Sequence, residues 1–85
     1  MSYEVIITKS AQREIRKLTN DVIKLSIETI AKLGENPRPV GYIKLEGSNN
    51  GYRLRIGNYR IIYTIEDKIR IVQIESVKHR KDVYE

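Results

Sequence analysis

The chain has no cysteine and a single histidine. Without thiols there is no disulfide framework and no thiolate metal site, and one imidazole is too few for a zinc or iron centre. No metal or other cofactor is therefore expected, and a reducing cytoplasm suits the chain. Long apolar runs are missing too. No stretch approaches the roughly 20 apolar residues that cross a bilayer, and residues 1–8 lack the basic region and apolar run of an export signal. We expect a soluble cytoplasmic protein with no membrane partner. Internal repeats, low-complexity tracts and linkers are absent, so residues 1–85 read as one domain. A domain of this size holds one core and no large enclosed cavity, and any active site must be an open groove.

Acidic residues are in deficit. Sixteen Lys and Arg against eleven Asp and Glu leave a net charge of +5, which favours acidic partners such as nucleic acid or an acidic protein. Placement matters more than the total. Between Lys44 and Arg60 the only acid is Glu46, and from Lys78 to Lys81 the chain reads Lys-His-Arg-Lys with none. These two basic stretches are expected to meet in the fold.

Residues 3–8, Tyr-Glu-Val-Ile-Ile-Thr, are rich in β-branched side chains and read as a short strand. From Lys9 to Leu18, Ala11, Ile15 and Leu18 fall at helical spacing, with Thr8 or Ser10 available as a cap. Thr19-Asn20-Asp21 gives a break and a fresh cap. Ile23, Ile27, Ile30 and Leu33 then mark a second helix, stopped by Gly34, Pro37 and Pro39. Val40 to Glu46 reads as an extended connection and residues 47–51 as a polar loop. Strands follow near 52–57, 59–66 and 69–77, with Glu66-Asp67-Lys68 as a turn and residues 78–85 as a basic tail that Val83 and Tyr84 tack onto the domain. This order gives an α+β domain: an N-terminal strand, a helical hairpin, then a three-stranded antiparallel meander. Both helices pack on one face of the sheet, which leaves the other open for function.

The chemistry sits in Tyr-Arg-Leu-Arg-Ile-Gly-Asn-Tyr-Arg-Ile-Ile-Tyr, residues 52–63. Strand alternation turns Tyr52, Leu54 and Ile56 to one side and Arg53 and Arg55 to the other. Gly57-Asn58 suits a tight two-residue turn, after which Arg60 follows. Guanidinium groups stay charged and grip phosphate oxygens in a planar fork, so three of them on rigid strands suit an anionic substrate or transition state. The plain alternative is a solvated strand face. Tyr59 and Tyr63 read as sheet-packing residues.

Three segments together resemble the RelE/ParE superfamily of toxins, nearest its RelE branch. They are Lys-Leu-Glu-Gly at 44–47, the 52–63 hairpin, and Val-Lys-His-Arg-Lys-Asp-Val-Tyr at 77–84. The resemblance spans nearly the whole chain and implies a RelE-like, microbial-RNase-type fold. It also implies the toxin of a type II toxin–antitoxin system, one that enters the ribosomal A site and cleaves the mRNA there. By the same resemblance, Arg53 and Arg55 stand where well-studied members carry catalytic lysines. Arg60 matches the family's transition-state arginine and Tyr84 its near-terminal catalytic tyrosine, while Lys78 falls where some members have a further arginine. Lysine can serve as a base and arginine practically cannot, so the acid and base are open between His79, Lys78 and Tyr84. His79 also reads plainly as a solvated or stacking residue. Lys44, Arg80 and Lys81 are expected to contact RNA phosphates or nothing.

The implied reaction is metal-independent attack of a ribose 2′-hydroxyl on the neighbouring phosphodiester. The implied partners are a cognate antitoxin, the ribosome and mRNA, with DNA reached only through the antitoxin. Two other functions fit the same residues: a ParE-like inhibitor of DNA gyrase, and a ribosome- or RNA-binding module without catalysis.

Overall fold

The computed structural model describes residues 2–82. Five strands, β1 (Glu4–Ile7), β2 (Ile43–Lys44), β3 (Gly51–Ile56), β4 (Tyr59–Glu66) and β5 (Ile71–His79), form one sheet in the order β1-β5-β4-β3-β2. Helices α1 (Lys9–Arg16) and α2 (Asn20–Glu35) follow β1, and a 3-10 turn spans Arg80–Asp82. β3, β4 and β5 make the expected antiparallel meander. β1 joins parallel to β5, a pairing that needs an intervening crossover, here supplied by the helices.

Two expectations about the sheet change. The connection at 40–46 contains β2, which pairs antiparallel with β3 through Ile43↔Arg53 and Lys44↔Tyr52, so the sheet has five strands. The basic tail begins later than expected, because β5 keeps pairing with β4 to its first residue through Arg60↔Lys78 and Tyr59↔His79.

Thr8 caps α1, its Oγ1 accepting from the Ala11 N–H at 3.1 Å. Ala11 and Ile15 are buried and Leu18 packs behind them. α2 runs one residue beyond Gly34, so that glycine does not stop it. The stop comes from Pro37, whose ring disfavours helical geometry at Asn36; Asn36 is extended at φ −143°, ψ 99°. Gly34 serves close approach instead, since a Cβ there would sit 2.8 Å from Val5 Cγ2. The inward stripe of α2 is Ile23, Ser26, Ile30 and Leu33, whereas Ile27 is 47% exposed. Among the described residues the buried Ser26 hydroxyl has no hydrogen-bond partner. Ser26→Ala removes this desolvated group and improves helix propensity, so a gain of about 1 kcal/mol is expected. That is about 4–8 °C in thermal unfolding for a domain this small.

The core lies between the helices and one sheet face, where Leu54, Ile56, Ile61, Tyr63, Ile65, Val72, Ile74 and Val77 are buried. The meander's far end is closed by a polar clasp. Arg38 grips Asp67 with both nitrogens, at 2.9 and 3.2 Å, and also donates to the Tyr52 hydroxyl at 3.2 Å. Tyr3 donates its hydroxyl to Asp67 Oδ1 at 2.7 Å. The Arg38 bonds and then the Tyr3 bond lower the Asp67 pKa to about 2. A depressed carboxylate stabilises the fold above its unfolded pKa, and that contribution is lost as pH falls through the folded value. Asp67→Asn is therefore expected to flatten the fall in thermal stability between pH about 4 and about 2. Among the described residues no helix is long and apolar enough to cross a membrane.

Candidate active site

The site is built on the β3–β4 hairpin. Gly57 sits at φ +59°, where a side chain would be strained, and the turn it makes with Asn58 sets the register Arg55↔Arg60 and Arg53↔Ile62. Paired residues of antiparallel strands share a face, so Arg53, Arg55 and Arg60 lie on the face away from the helices. The opposite side of β3, with Tyr52, Leu54 and Ile56, is in the core.

The third cation of this row depends on a β-bulge. Tyr63 pairs with Ile74, but Ile62 pairs with Ser76, so β5 carries one extra residue, Glu75. Shifting a strand by one residue turns its side chains to the other face. Had the Tyr63↔Ile74 register continued, Arg60 would oppose Val77, and Lys78 would point toward the helices with Tyr59. The bulge places Val77 in the core instead and sets Lys78 opposite Arg60. Arg55, Arg60 and Lys78 thus form a row across β3, β4 and β5, with Arg53 one step along β3.

Beyond β5 the backbone is tied to the hairpin turn, the Arg80 N–H donating to the Asn58 carbonyl at 2.8 Å. This brings Arg80 to the row, and the two basic stretches meet. Partial desolvation, followed by repulsion from Arg53, Arg55 and Arg80, pushes the Arg60 pKa down from its ordinary value. Arginine remains protonated regardless. Like charges opposite one another on a sheet are destabilising, so such a grouping is not explained by stability. It suits an anion with several oxygens, such as a phosphodiester.

Other candidates fall elsewhere. Lys44 pairs with Tyr52, on the helix-side face of the edge strand. His79 pairs with Tyr59, also away from the arginines, and meets the Tyr59 ring edge-on at 5.1 Å. Its Nδ1 accepts from the Lys81 N–H at 3.2 Å. Both rings line an open cleft of about 410 Å³ with Glu14, Lys17, Leu18, Val77 and Lys78. Lys81 is exposed on the 3-10 turn. Tyr84 lies outside the described residues. Among the described residues no group of three or more His, Asp or Glu side chains is placed to hold a metal ion.

Sequence reasoning passed over Glu14. Its Oε1 accepts from the Val77 N–H and the Ser76 hydroxyl, each at 3.0 Å, and its Oε2 lies 3.6 Å from Lys78 Nζ. A signal was present: Glu14 falls at helical spacing on the stripe of Ala11, Ile15 and Leu18, where an acid is out of place.

With this geometry in place, comparison with known proteins is specific. Residues 5–84 match the family described as the ParE toxin of the type II toxin–antitoxin system parDE. The toxin RelG of Mycobacterium tuberculosis is 32% identical over 85 residues, covering 99% of this chain and 98% of that protein. The archaeal RelE–RelB complex from Pyrococcus horikoshii contains a chain that superposes with a TM-score of 0.85 at 31% identity, covering 98% of this chain and all of that one. The toxin–antitoxin complex RelBE2 of Mycobacterium tuberculosis gives a TM-score of 0.83 at 28% identity, covering 94% and 100%.

Proposed function

Because the chain belongs to the RelE/ParE family of toxins from type II toxin–antitoxin systems, we propose that it is a ribosome-dependent, metal-independent endoribonuclease that cleaves mRNA in the A site. The observation that carries this reading is the row Arg55–Arg60–Lys78, flanked by Arg53 and Arg80, on the sheet face away from the helices.

In the proposed step the 2′-oxygen bonds to phosphorus while the bond to the 5′-oxygen of the next nucleotide breaks. The products are a 2′,3′-cyclic phosphate and a 5′-hydroxyl. Negative charge grows on the non-bridging oxygens, and cations fixed beforehand on rigid strands stabilise that charge without reorganising. Arg60, central in the row, takes the phosphoryl oxygens, with Arg53 and Arg55 beside it. Arg80 holds a flanking phosphate, and Lys81 and the more distant Lys44 meet RNA outside the scissile group. A base must take the 2′-proton and an acid must supply the leaving 5′-oxygen. Lys78, in the row, is our first choice for proton transfer, with Tyr84 and with His79, which pairs with Tyr59 on the other face, as the alternatives. Alignment of the 2′-hydroxyl with the leaving oxygen is a separate requirement, which ribosome-held mRNA stacked on Tyr84 meets.

The toxin acts in the cytoplasm, and a cognate antitoxin restrains it, as RelB accompanies RelE in the Pyrococcus complex. DNA is reached through that antitoxin. The family is also described by its ParE toxins, so gyrase inhibition is the competing function. A row of arginines on the sheet face away from the helices favours the ribonuclease. Purified protein incubated with a 5′-labelled message, free or in programmed ribosomes, separates the readings. Cuts in the programmed ribosomes alone are expected. No cut in either, with gyrase-linked double-strand breaks in plasmid DNA, would replace the reading by the ParE one.

A further inference from the structure

We propose that Glu14 is a counter-charge for Lys78 at the β5 end of the cationic row, competing with bound phosphate for that lysine and so tuning how tightly the face away from the helices holds an anionic strand. The inference rests on the reading of that face as an RNA site, and it adds a residue on the far side of β5 that tunes its affinity.

β1 pairs with β5 only from Ile71 to Ile74, so among the described residues no strand lies along the outer edge of residues 75–79. α1 fills that gap, and Glu14 is the side chain it presents. One carboxylate oxygen takes the edge N–H of Val77 and the Ser76 hydroxyl, while the other faces the Lys78 ammonium. The two oxygens therefore have different tasks. Oε1 closes a strand edge, a structural duty that any acceptor performs. Oε2 gives Lys78 a partner, a duty that needs negative charge.

That charge matters because of where Lys78 stands. The bulge sets it opposite Arg60, which already bears the repulsion of Arg53, Arg55 and Arg80. Lys78, the outermost cation of the row and on a flexible side chain, is drawn to the carboxylate at the sheet edge. A phosphate arriving on the row offers Lys78 a second partner, and the ion pair with Glu14 is given up in exchange. The pair is long at 3.6 Å and its side chains are partly exposed, at 45% for Lys78 and 25% for Glu14, so the exchange is easy. Its effect on affinity is correspondingly modest.

The test is binding of a fluorescent 12-nucleotide single-stranded RNA at low ionic strength. The proteins compared are wild type, Glu14→Gln, Lys78→Met, the double variant, Ser76→Ala and Arg60→Ala. Glutamine keeps a carbonyl oxygen for Val77 and Ser76 and loses only the charge, so Glu14→Gln is expected to unfold at the wild-type temperature. It is expected to bind RNA about two- to five-fold more tightly, the range of an exposed ion pair, and the gain is expected to shrink as salt rises. Ser76→Ala, which removes a hydrogen bond without touching the charge, is expected to bind as wild type. In the Lys78→Met background the Glu14→Gln gain is expected to vanish, because the two act as one unit. A gain that persists without Lys78 would overturn the inference, as would a Glu14→Gln protein that binds no more tightly than wild type. Arg60→Ala separates the two levels. If it weakens binding while Glu14→Gln has no effect, only the role of Glu14 fails. If Arg60→Ala or wild type itself shows no row-dependent binding, the RNA site fails and this inference with it.

Discussion

Arg60→Ala is expected to lower cleavage of ribosome-bound message by about 10²–10³-fold, the usual cost of removing one preorganised group that stabilises transition-state charge. Arg60 is central in the row, with Arg55 opposite it on β3 and Lys78 opposite it on β5. Its guanidinium is held near those of Arg53, Arg55 and Arg80, and desolvation first, then their repulsion, lowers its pKa. Arg60 lies on the sheet face away from the core, so the variant is expected to stay folded at the assay temperature, and loss of cleavage cannot be laid to loss of fold. Arg60→Lys keeps the charge and loses the planar fork, so activity between wild type and alanine is expected. Cleavage rates on programmed ribosomes, measured beside thermal unfolding of the same preparations, check all three. An Arg60→Ala protein that cuts at the wild-type rate would remove Arg60 from the chemistry.

The largest effect on stability is expected at Tyr63. Its side chain is fully buried in the middle of β4, it stacks on Tyr52 at 5.8 Å between ring centres, and its hydroxyl donates to the Pro37 carbonyl at 2.7 Å. Tyr63→Ala leaves a ring-sized void and is expected to cost about 3–5 kcal/mol, against the roughly 5–15 kcal/mol that holds a typical domain together. Tyr63→Phe keeps the ring but leaves the Pro37 oxygen unpaired, and about 1–2 kcal/mol is expected. Urea unfolding measures both. The hydroxyl has a pH signature as well. Burial raises the Tyr63 pKa to about 12 from 10.0. A group whose pKa is raised on folding stabilises the fold below its unfolded value, and the contribution disappears as pH climbs through the folded one. Stability is therefore expected to fall between pH 10 and about 12 in wild type, and less steeply in Tyr63→Phe.

The parts of this fold that were legible in the sequence are those set by neighbouring residues. The bounds of β4 follow from a glycine turn on one side and a charged turn on the other. The sides taken by Arg53 and Arg55 follow from strand alternation alone. The meeting of the two basic stretches was readable from charge placement once a meander was assumed. What escaped depends on partners distant in the chain. β2 is two residues whose only reason to be a strand is the edge of β3, so nothing local marks them. Ile27 looked like a core position by spacing from Ile23 and Ile30, but the inward stripe runs through Ser26, because the angle at which α2 meets the sheet decides its phase. The faces of Lys78 and His79 rest on the single extra residue at Glu75. Neither alternation nor composition shows a bulge, yet without it Lys78 would leave the row. The pairing of Glu14 with Lys78 spans 64 positions in the chain and shows in the sequence only as an acid on an apolar stripe.

The most direct test of the ribonuclease reading is to map 5′ ends by primer extension on one translated message in cells. The protein is expressed from a tightly repressed promoter, as wild type and as Arg60→Ala, with and without a block to translation initiation. Cuts within codons in the wild type alone, disappearing when translation is blocked, are the expected result. Growth arrest with the message intact would contradict the proposed chemistry.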